Sequence, residues 1–165
     1  MELPKRKTNR LQNCDYSSPG YYFITICTED KKNLLCSIVE GGALGAPQVS
    51  LSHIGRIVQS NIESSNRIPH IRVDKYVIMP NHIHLIICID APCTDKTLKD
   101  PSPANAVIPH YVSTLKRFCN KAAGQQLFQR SYHDHVIRGE RDYQKIWEHI
   151  ETNPIKWQED CFYAE

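Results

Sequence analysis

The apolar segment from Tyr76 to Ile89 constrains the fold of this chain most, because it contains the motif Pro80-Asn81-His82-Ile83-His84. Proline and asparagine favour tight turns, so the segment predicts two antiparallel strands joined at Pro-Asn. Side chains of a strand alternate between its two faces, so His82 and His84 share one face while Ile83 points to the other. Two neighbouring imidazoles suit one divalent metal. A single His-x-His pattern is more often a pair of ordinary core or surface histidines, so the rest of the chain has to decide.

The bulk properties predict one soluble domain over residues 1–165, with a basic N-terminal extension at 1–18. Charged residues make up 23% of the chain, apolar residues 41%, and the net charge is only +2, which is ordinary for a globular protein. We find no signal peptide and no apolar run of membrane-spanning length, so we expect a cytoplasmic protein with no membrane contact. The seven cysteines contain no Cys-x-x-Cys pair, which favours reduced thiols over disulfides or a zinc ribbon.

Periodicity and turn residues predict the remaining elements. Strands are predicted at 21–28, 34–39, 71–79, 82–89 and 132–137, with a Gly-rich linker at 41–47 and a polar connection at 91–103. Helices are predicted from Ser50 or Ser52 to Asn66, from Ala106 or Pro109 to Ala123, and from Arg141 to Thr152. On the last helix the spacing predicts a core-facing stripe of Tyr143, Ile146, Trp147 and Ile150.

These elements predict an α+β fold. Without the short strand at 34–39 and the last helix, their order is β-α-β-β-α-β, the ferredoxin-like arrangement. We therefore expect an antiparallel sheet with one added short strand. The His82 strand should lie at its centre, and the C-terminal helix should lie across its open face. The fold by itself supports no activity.

A third metal ligand is predicted at Asn153, where the last helix ends before Pro154. A helix across the open face of the sheet would bring this amide beside His82 and His84. Two imidazoles and one amide oxygen leave positions for water and phosphate oxygens, which suits Mg²⁺ or Mn²⁺ in phosphoryl transfer. Asparagine before proline is also an ordinary helix end, and spacing alone favours that structural role. His149 lies four residues earlier and shares the helix face of Asn153.

Four stretches carry a resemblance to a known family: Pro19–Phe23, Val77–Ile86, Gln129–Arg138 and Asp142–Pro154. In this order they closely resemble the REP-associated tyrosine transposases, which belong to the HUH single-strand nuclease superfamily. The likeness covers nearly the whole chain, and Met-Pro-Asn-His-Ile-His is far more specific than His-x-His.

The resemblance implies a protein that binds DNA hairpins and single-stranded DNA, such as REP-like palindromes, and cleaves and rejoins one strand. In this family a tyrosine attacks phosphorus to form a 5′-phosphotyrosine intermediate, while a histidine-bound metal polarises the phosphate. The resemblance also implies a bacterial cytoplasmic protein that associates with the nucleoid when it binds DNA.

The family's residues carry over only in part. The metal ligands correspond to His82, His84 and Asn153, but the position of the nucleophilic tyrosine is His149. Either His149 attacks phosphorus itself, or cleavage is lost and only binding survives, or Tyr132 or water takes the role. Tyr143 is a poor substitute, because it lies about 240° around the helix from His149.

Basic residues predict the DNA-contacting surface. They are Lys5, Arg6, Lys7 and Arg10 in the extension, and Lys116, Arg117, Arg130 and Arg138 further along. For Asp134 and His135 the resemblance favours a supporting or phosphate-contacting role beside the last helix, although His133 and His135 share a strand face and leave a second metal site open. The protein is expected to be a monomer or a homodimer, and exchange of the last helix between protomers stays open.

Overall fold

Six strands and three helices make up the described part of the chain, residues 18–39, 47–90 and 107–163 of a computed structural model. The strands are β1 (Gly20–Cys27), β2 (Cys36–Val39), β3 (Gln48–Leu51), β4 (Ile71–Ile78), β5 (His82–Ile89) and β6 (His133–Ile137). The helices are α1 (His53–Ser65), α2 (Val107–Ala123) and α3 (Glu140–Thr152). This mixture confirms the predicted α+β class.

The main sheet has four strands in the order β4-β5-β1-β6, and every neighbouring pair is antiparallel. Each helical crossover, α1 between β1 and β4 and α2 between β5 and β6, skips one strand, which is the ferredoxin-like arrangement. Strand β5 pairs along its whole length with β1, from His82 opposite Cys27 to Ile89 opposite Gly20. The strand that carries the histidine pair is therefore an interior strand, as predicted.

The two faces of the sheet have different roles. One face of β5, with Ile83, Leu85, Ile87 and Ile89, joins side chains of α1 and α2 in the hydrophobic core. Each fully buried aliphatic side chain of this kind contributes about 1.5–3 kcal/mol to folding. The opposite face of β5 carries His82 and His84, and Thr25 of β1 lies directly opposite His84. The alternation that the sequence predicts thus separates the core from the candidate site.

The short strand at 34–39 was only partly predicted. It begins at Cys36 and pairs with β3, which the sequence reasoning missed, to form a separate two-stranded sheet. Strand β3 was missed because four alternating residues after a Gly-rich linker give too short a pattern to distinguish strand from loop. Of the two predicted starts of α1, Ser52 is the N-cap, and its hydroxyl accepts a hydrogen bond from the Gly55 N–H at 3.0 Å. Ser50 lies in β3.

The predicted core stripe of α3 is largely wrong, because Ile150 is its only buried residue. Trp147 is 39% exposed, and the ammonium of Lys75 lies 3.8 Å from the centre of its ring. Tyr143 donates a hydrogen bond to Asp74. Helix α3 therefore packs against polar side chains of the edge strand β4. Helical spacing predicts which residues share a face, but it does not distinguish a face that contacts a neighbouring strand from one that enters the core.

The described cysteines, Cys27, Cys36, Cys88, Cys119 and Cys161, are free thiols. Burial raises the pKa of Cys36 and of Cys119 to about 12, so both behave as small hydrophobic residues. None of the helices in the described ranges is long and apolar enough to cross a membrane. The basic residues Lys5, Arg6, Lys7 and Arg10 lie outside the described residues.

Candidate metal and nucleic-acid site

The histidine pair lies on the face of β5 that α1 and α2 do not cover. His82 is 0% exposed and His84 is 2% exposed. Their Nε2 atoms lie 3.1 Å apart, so the two rings converge on one point. Two ligand atoms bound at right angles to one ion, at about 2.1 Å each, would lie about 3.0 Å apart. The observed separation therefore fits two ligands of a single ion.

Hydrogen bonds on the other ring nitrogens orient both imidazoles. His82 Nδ1 lies 3.0 Å from Asn81 Oδ1, and since a carbonyl oxygen only accepts, the hydrogen of His82 is on Nδ1. Its Nε2 therefore presents a lone pair to His84. His84 Nδ1 lies 2.8 Å from the hydroxyl of Thr25, which is able to donate or accept. When Thr25 accepts, both Nε2 atoms present lone pairs to the same point.

Burial keeps the pair neutral. Burial, with a smaller effect of His149, lowers the pKa of His82 to about 4, and the Asp160 carboxylate opposes this shift. Burial first, and then the neighbouring His82, hold the pKa of His84 well below its usual range. Neutral imidazole is the form that binds metals, so no proton has to be displaced at neutral pH.

Asn153, the C-cap residue of α3, lies close to this pair. It is 3% exposed, and its Nδ2 donates to Asp160 Oδ2 at 2.8 Å. Its Oδ1 is buried and has no hydrogen-bond partner among the described residues. A buried unsatisfied carbonyl costs about 1–3 kcal/mol, and binding of a metal ion by this oxygen would remove the cost. Asn153 lines the same cavity as His84 and His149.

Asp160 completes the cluster and was missed by the sequence reasoning. Its Oδ2 lies 3.9 Å from His82 Nε2, and its side chain is 5% exposed. The ligand atoms of His82, His84 and Asp160 all lie within 4.8 Å of one another. Asp160 follows α3 in an irregular segment, where no periodicity links it to the histidines. A carboxylate seven residues after Asn153 was the only available signal.

The donor set fits a divalent cation. Two neutral imidazoles, one unsatisfied amide oxygen and one buried carboxylate converge from β5, the end of α3 and the segment after it. Such a mixture of nitrogen and oxygen ligands is compatible with Mg²⁺, Mn²⁺ and other first-row divalent ions.

The cluster opens into a cavity of about 490 Å³, lined by His84, His149, Lys145 and Lys156 among others. His149 is solvent-exposed at its mouth, with its ring centre 5.1 Å from that of His84. Neither Lys145 nor Lys156 forms an ion pair with a described acidic group. Helix α3 thus places the ring of His149 in the cavity beside His84.

The other candidate nucleophiles lie elsewhere. Tyr143 donates to Asp74, and this hydrogen bond raises the pKa of its hydroxyl to about 12, so it does not ionise readily. Tyr132 packs against the hydrophobic core, on the helix-covered face of the sheet. It also lies beneath the ammonium of Lys116. Neither tyrosine lines the cavity above the histidines.

A protein of Haemophilus influenzae strain Rd, itself uncharacterised, is 30% identical to this chain over 97% of the chain and 94% of its own length. This chain belongs to the family of that protein. No family model matches the chain.

Solved structures show which fold this family has. The structure of a REP-associated tyrosine transposase bound to a REP hairpin matches 95% of this chain and 74% of its own chain, with a TM-score of 0.60 and 18% identity. A candidate transposase from Deinococcus radiodurans R1 matches 87% of this chain and 97% of its own, with a TM-score of 0.50 and 15% identity. The family member described here has the fold of the REP-associated tyrosine transposases, which confirms the predicted resemblance at the level of fold.

Those predicted DNA-contacting residues that the structure describes do not line the cavity above the histidines. Lys116, Arg117 and Arg130 line a separate cavity of about 470 Å³ beside α2, on the other side of the sheet. The ammonium of Lys116 donates to the carbonyls of Gln129, Arg130 and Ser131 at 2.7, 3.2 and 2.8 Å. The Lys116 ammonium therefore stabilises the loop at 129–131, and a bound phosphate would have to share the ammonium hydrogens with these three carbonyls.

The remaining predicted residues lie on or beside β6. His135 Nε2 lies 2.8 Å from Asp142 Oδ2, which also accepts a hydrogen bond from the backbone N–H of Arg138. His135 thus ties β6 to the start of α3. Asp134 alternates to the other face of the strand. Among the described residues, the group that could hold a metal ion includes neither His135 nor His133.

Proposed function

We propose that this protein binds hairpin or single-stranded DNA and holds a DNA phosphate at a divalent metal bound by His82, His84, Asn153 and Asp160. The observation that carries the proposal is the convergence of two neutral imidazoles with the unsatisfied amide oxygen of Asn153. The fold supports the choice of substrate, because a solved relative in fold is bound to a REP hairpin. The ion we propose is Mg²⁺ or Mn²⁺, which accept carboxylate, amide and phosphate oxygens.

The metal would supply Lewis-acid polarisation of the phosphate when bound. The protein's own residues orient the substrate. Lys145 and Lys156 at the cavity mouth neutralise the neighbouring phosphates, and each such contact makes binding weaker as salt rises. Burial of His82 and His84 keeps them neutral, so they retain their lone pairs for the metal over a wide pH range.

We further propose that His149 takes the place of the tyrosine nucleophile. A neutral imidazole attacks with a lone pair and needs no base to activate it, unlike a phenol of ordinary pKa. In this step an N–P bond forms between His149 and the phosphate, and the bond from phosphorus to the 3′ oxygen breaks. The 3′ oxygen gains a proton to become a hydroxyl, and the imidazole loses its N–H proton. Reversal of the step rejoins the strand.

The second candidate is hairpin binding without cleavage. The exposure of His149 favours it, since no described side chain forms a hydrogen bond that would fix the orientation of its ring. An unoriented nucleophile loses much of the advantage of proximity. The metal cluster would then bind a phosphate of the hairpin without breaking it.

One experiment tests both candidates. A 3′-labelled hairpin oligonucleotide with a single-stranded tail is incubated with Mn²⁺ and the wild-type protein, His149→Tyr or His149→Ala. Covalent product with wild type, acid-labile as expected of a P–N bond and absent with His149→Ala, supports the His149 nucleophile. Covalent product with His149→Tyr alone supports the binding protein with a competent metal site. If none of the three proteins retains the hairpin in a shift assay, the proposed function is wrong.

The matched control for DNA contact is a lysine remote from the cavity. Lys145→Gln and Lys156→Gln should each make the plot of log DNA-binding constant against log salt concentration less steep, by about 0.7–0.9 in the magnitude of its slope. Lys121→Gln on α2 should leave the slope unchanged. Equal slopes for all three variants would contradict the proposed path of the DNA.

A further inference from the structure

Asn81 makes hydrogen bonds in two directions at the turn between β4 and β5. The residue is 1% exposed. Its Nδ2 donates to the carbonyl of Phe162 at 2.7 Å and, more weakly, to that of Lys31 at 3.3 Å. Because carbonyls only accept, these two bonds fix the orientation of the amide, and Oδ1 must face His82 Nδ1. The amide thus has one orientation, which sets the tautomer of His82.

The backbone of Asn81 is held as firmly as its side chain. Its carbonyl accepts from the backbone N–H of Thr28 at 2.8 Å and from the Thr28 hydroxyl at 3.0 Å. The side-chain amide of Asn81 therefore projects from a fixed turn, and its two hydrogen-bonding partners have to be positioned against it. One partner is the imidazole on β5, and the other is the segment after α3.

The segment after α3 carries the cluster's carboxylate. The N–H of Phe162 donates to Asp160 Oδ1 at 2.7 Å, so the residue whose carbonyl Asn81 holds also orients Asp160. The ring of Phe162 lies 4.7 Å from the ring of His82, and that of Trp157 lies 6.0 Å from it. The same asparagine therefore orients one metal ligand and anchors the segment that supplies another.

We propose that Asn81 is a positioning residue that couples docking of the C-terminal segment, residues 157–163, to metal binding at His82. The proposal rests on the metal site of the proposed function and adds a linkage to it. Metal binding and docking of the segment favour each other by the same factor, since coupling between two binding equilibria is reciprocal. Loss of an outer hydrogen-bond partner of a metal-bound histidine typically lowers metal affinity by about 10- to 100-fold.

The test uses the full chain and three variants. Asn81→Leu removes both hydrogen-bonding directions. Asn81→Asp keeps an acceptor for His82 but loses the donor to Phe162. Asn120→Leu is the matched control, because Asn120 also anchors a loop, through Leu127, but lies on α2 away from the cluster.

Three quantities are measured: Mn²⁺ affinity by calorimetry, the His82 tautomer by imidazole nitrogen NMR, and the rate of tryptic cleavage after Lys156 with and without Mn²⁺. For wild type we expect hydrogen on Nδ1 and slower cleavage with Mn²⁺. Asn81→Leu should bind Mn²⁺ about 10- to 100-fold more weakly, lose the single tautomer, and be cut faster. Asn81→Asp should keep the tautomer but be cut faster, and it remains informative if Asn81→Leu does not fold. Asn120→Leu should match wild type in all three.

The outcomes separate the two proposals. If wild type binds no Mn²⁺, the metal site itself is wrong. If wild type binds Mn²⁺ and Asn81→Leu, or Asn81→Asp in its place, matches it in affinity and in cleavage rate, the role of Asn81 is wrong while the metal site stands.

Discussion

Replacement of Asn153 by leucine distinguishes a role as metal ligand from a role as an ordinary helix end. In the metal-free protein two effects oppose each other. The variant loses the 2.8 Å hydrogen bond to Asp160, which is worth about 1.5–3 kcal/mol because the partner is charged. It also loses the buried Oδ1 that has no partner, and whose burial costs the wild type about 1–3 kcal/mol. We therefore expect the metal-free stability to change by no more than about 2 kcal/mol in either direction.

The metal-bound protein should respond differently. A ligand at 100 times its Kd stabilises the folded state by about 2.7 kcal/mol, which for a domain of this size raises Tm by about 5–11 °C. If loss of Asn153 weakens Mn²⁺ binding by the 10- to 100-fold typical even of outer partners, the same Mn²⁺ concentration contributes only about 0.4–1.4 kcal/mol. The Mn²⁺-dependent rise in Tm should then fall to about 1–6 °C.

Differential scanning fluorimetry with Mn²⁺ and with EDTA measures both quantities. The control is Asn66→Leu, which removes another structural amide, the acceptor for the Val73 N–H, far from the cluster. It should lower Tm equally with and without Mn²⁺. A full Mn²⁺ shift retained by Asn153→Leu would refute the assignment of Asn153 as a ligand.

Three further predictions concern the fold. Gly55→Ala should destabilise the protein by about 3 kcal/mol in urea unfolding, because the added Cβ would lie 2.0 Å from the Leu35 carbonyl oxygen; an unchanged midpoint would contradict this close approach. Lys116→Met should cost about 1–3 kcal/mol and speed hydrogen exchange in the loop whose three carbonyls the ammonium holds; exchange rates equal to wild type would count against that role. Burial raises the pKa of Tyr111 from 10.0 to about 12, so wild type should lose up to about 2.7 kcal/mol of stability as pH rises from 10 to 12. Tyr111→Phe, which lacks only the hydroxyl bound to Ser65, should show a flatter alkaline slope, and parallel curves for the two proteins would argue against this origin.

The sequence predicts those parts of the fold that depend on local patterns. Alternation along 82–89 predicts the strand, its two faces and the shared direction of His82 and His84. Ser52 predicts the start of α1, because a cap is a local hydrogen bond. The pairing of β2 with β3 was not predictable in this way, since register depends on a partner strand and four residues carry little pattern.

The same distinction between local patterns and long-range contacts applies to the candidate site. Asn153 was predicted because the family resemblance assigns it as a ligand, whereas spacing alone favours an ordinary helix end. Asp160 was missed because an irregular segment brings it to the histidines, and Asn81 fixes that segment through a hydrogen bond that spans 81 residues. The neutral state of the histidines could not be predicted either, since burial is a property of the folded chain.

The shallow attachment of α3 has a consequence for how this site is able to change. The helix contributes one buried residue, Ile150, while His149 beside it is exposed at the cavity mouth. Substitutions at exposed positions usually alter stability by no more than about 0.5 kcal/mol. Position 149 can therefore be exchanged between tyrosine, histidine and an inert side chain at almost no cost in stability. His82 and His84 on β5 have no such freedom, because they lie in an interior strand whose other face is the core.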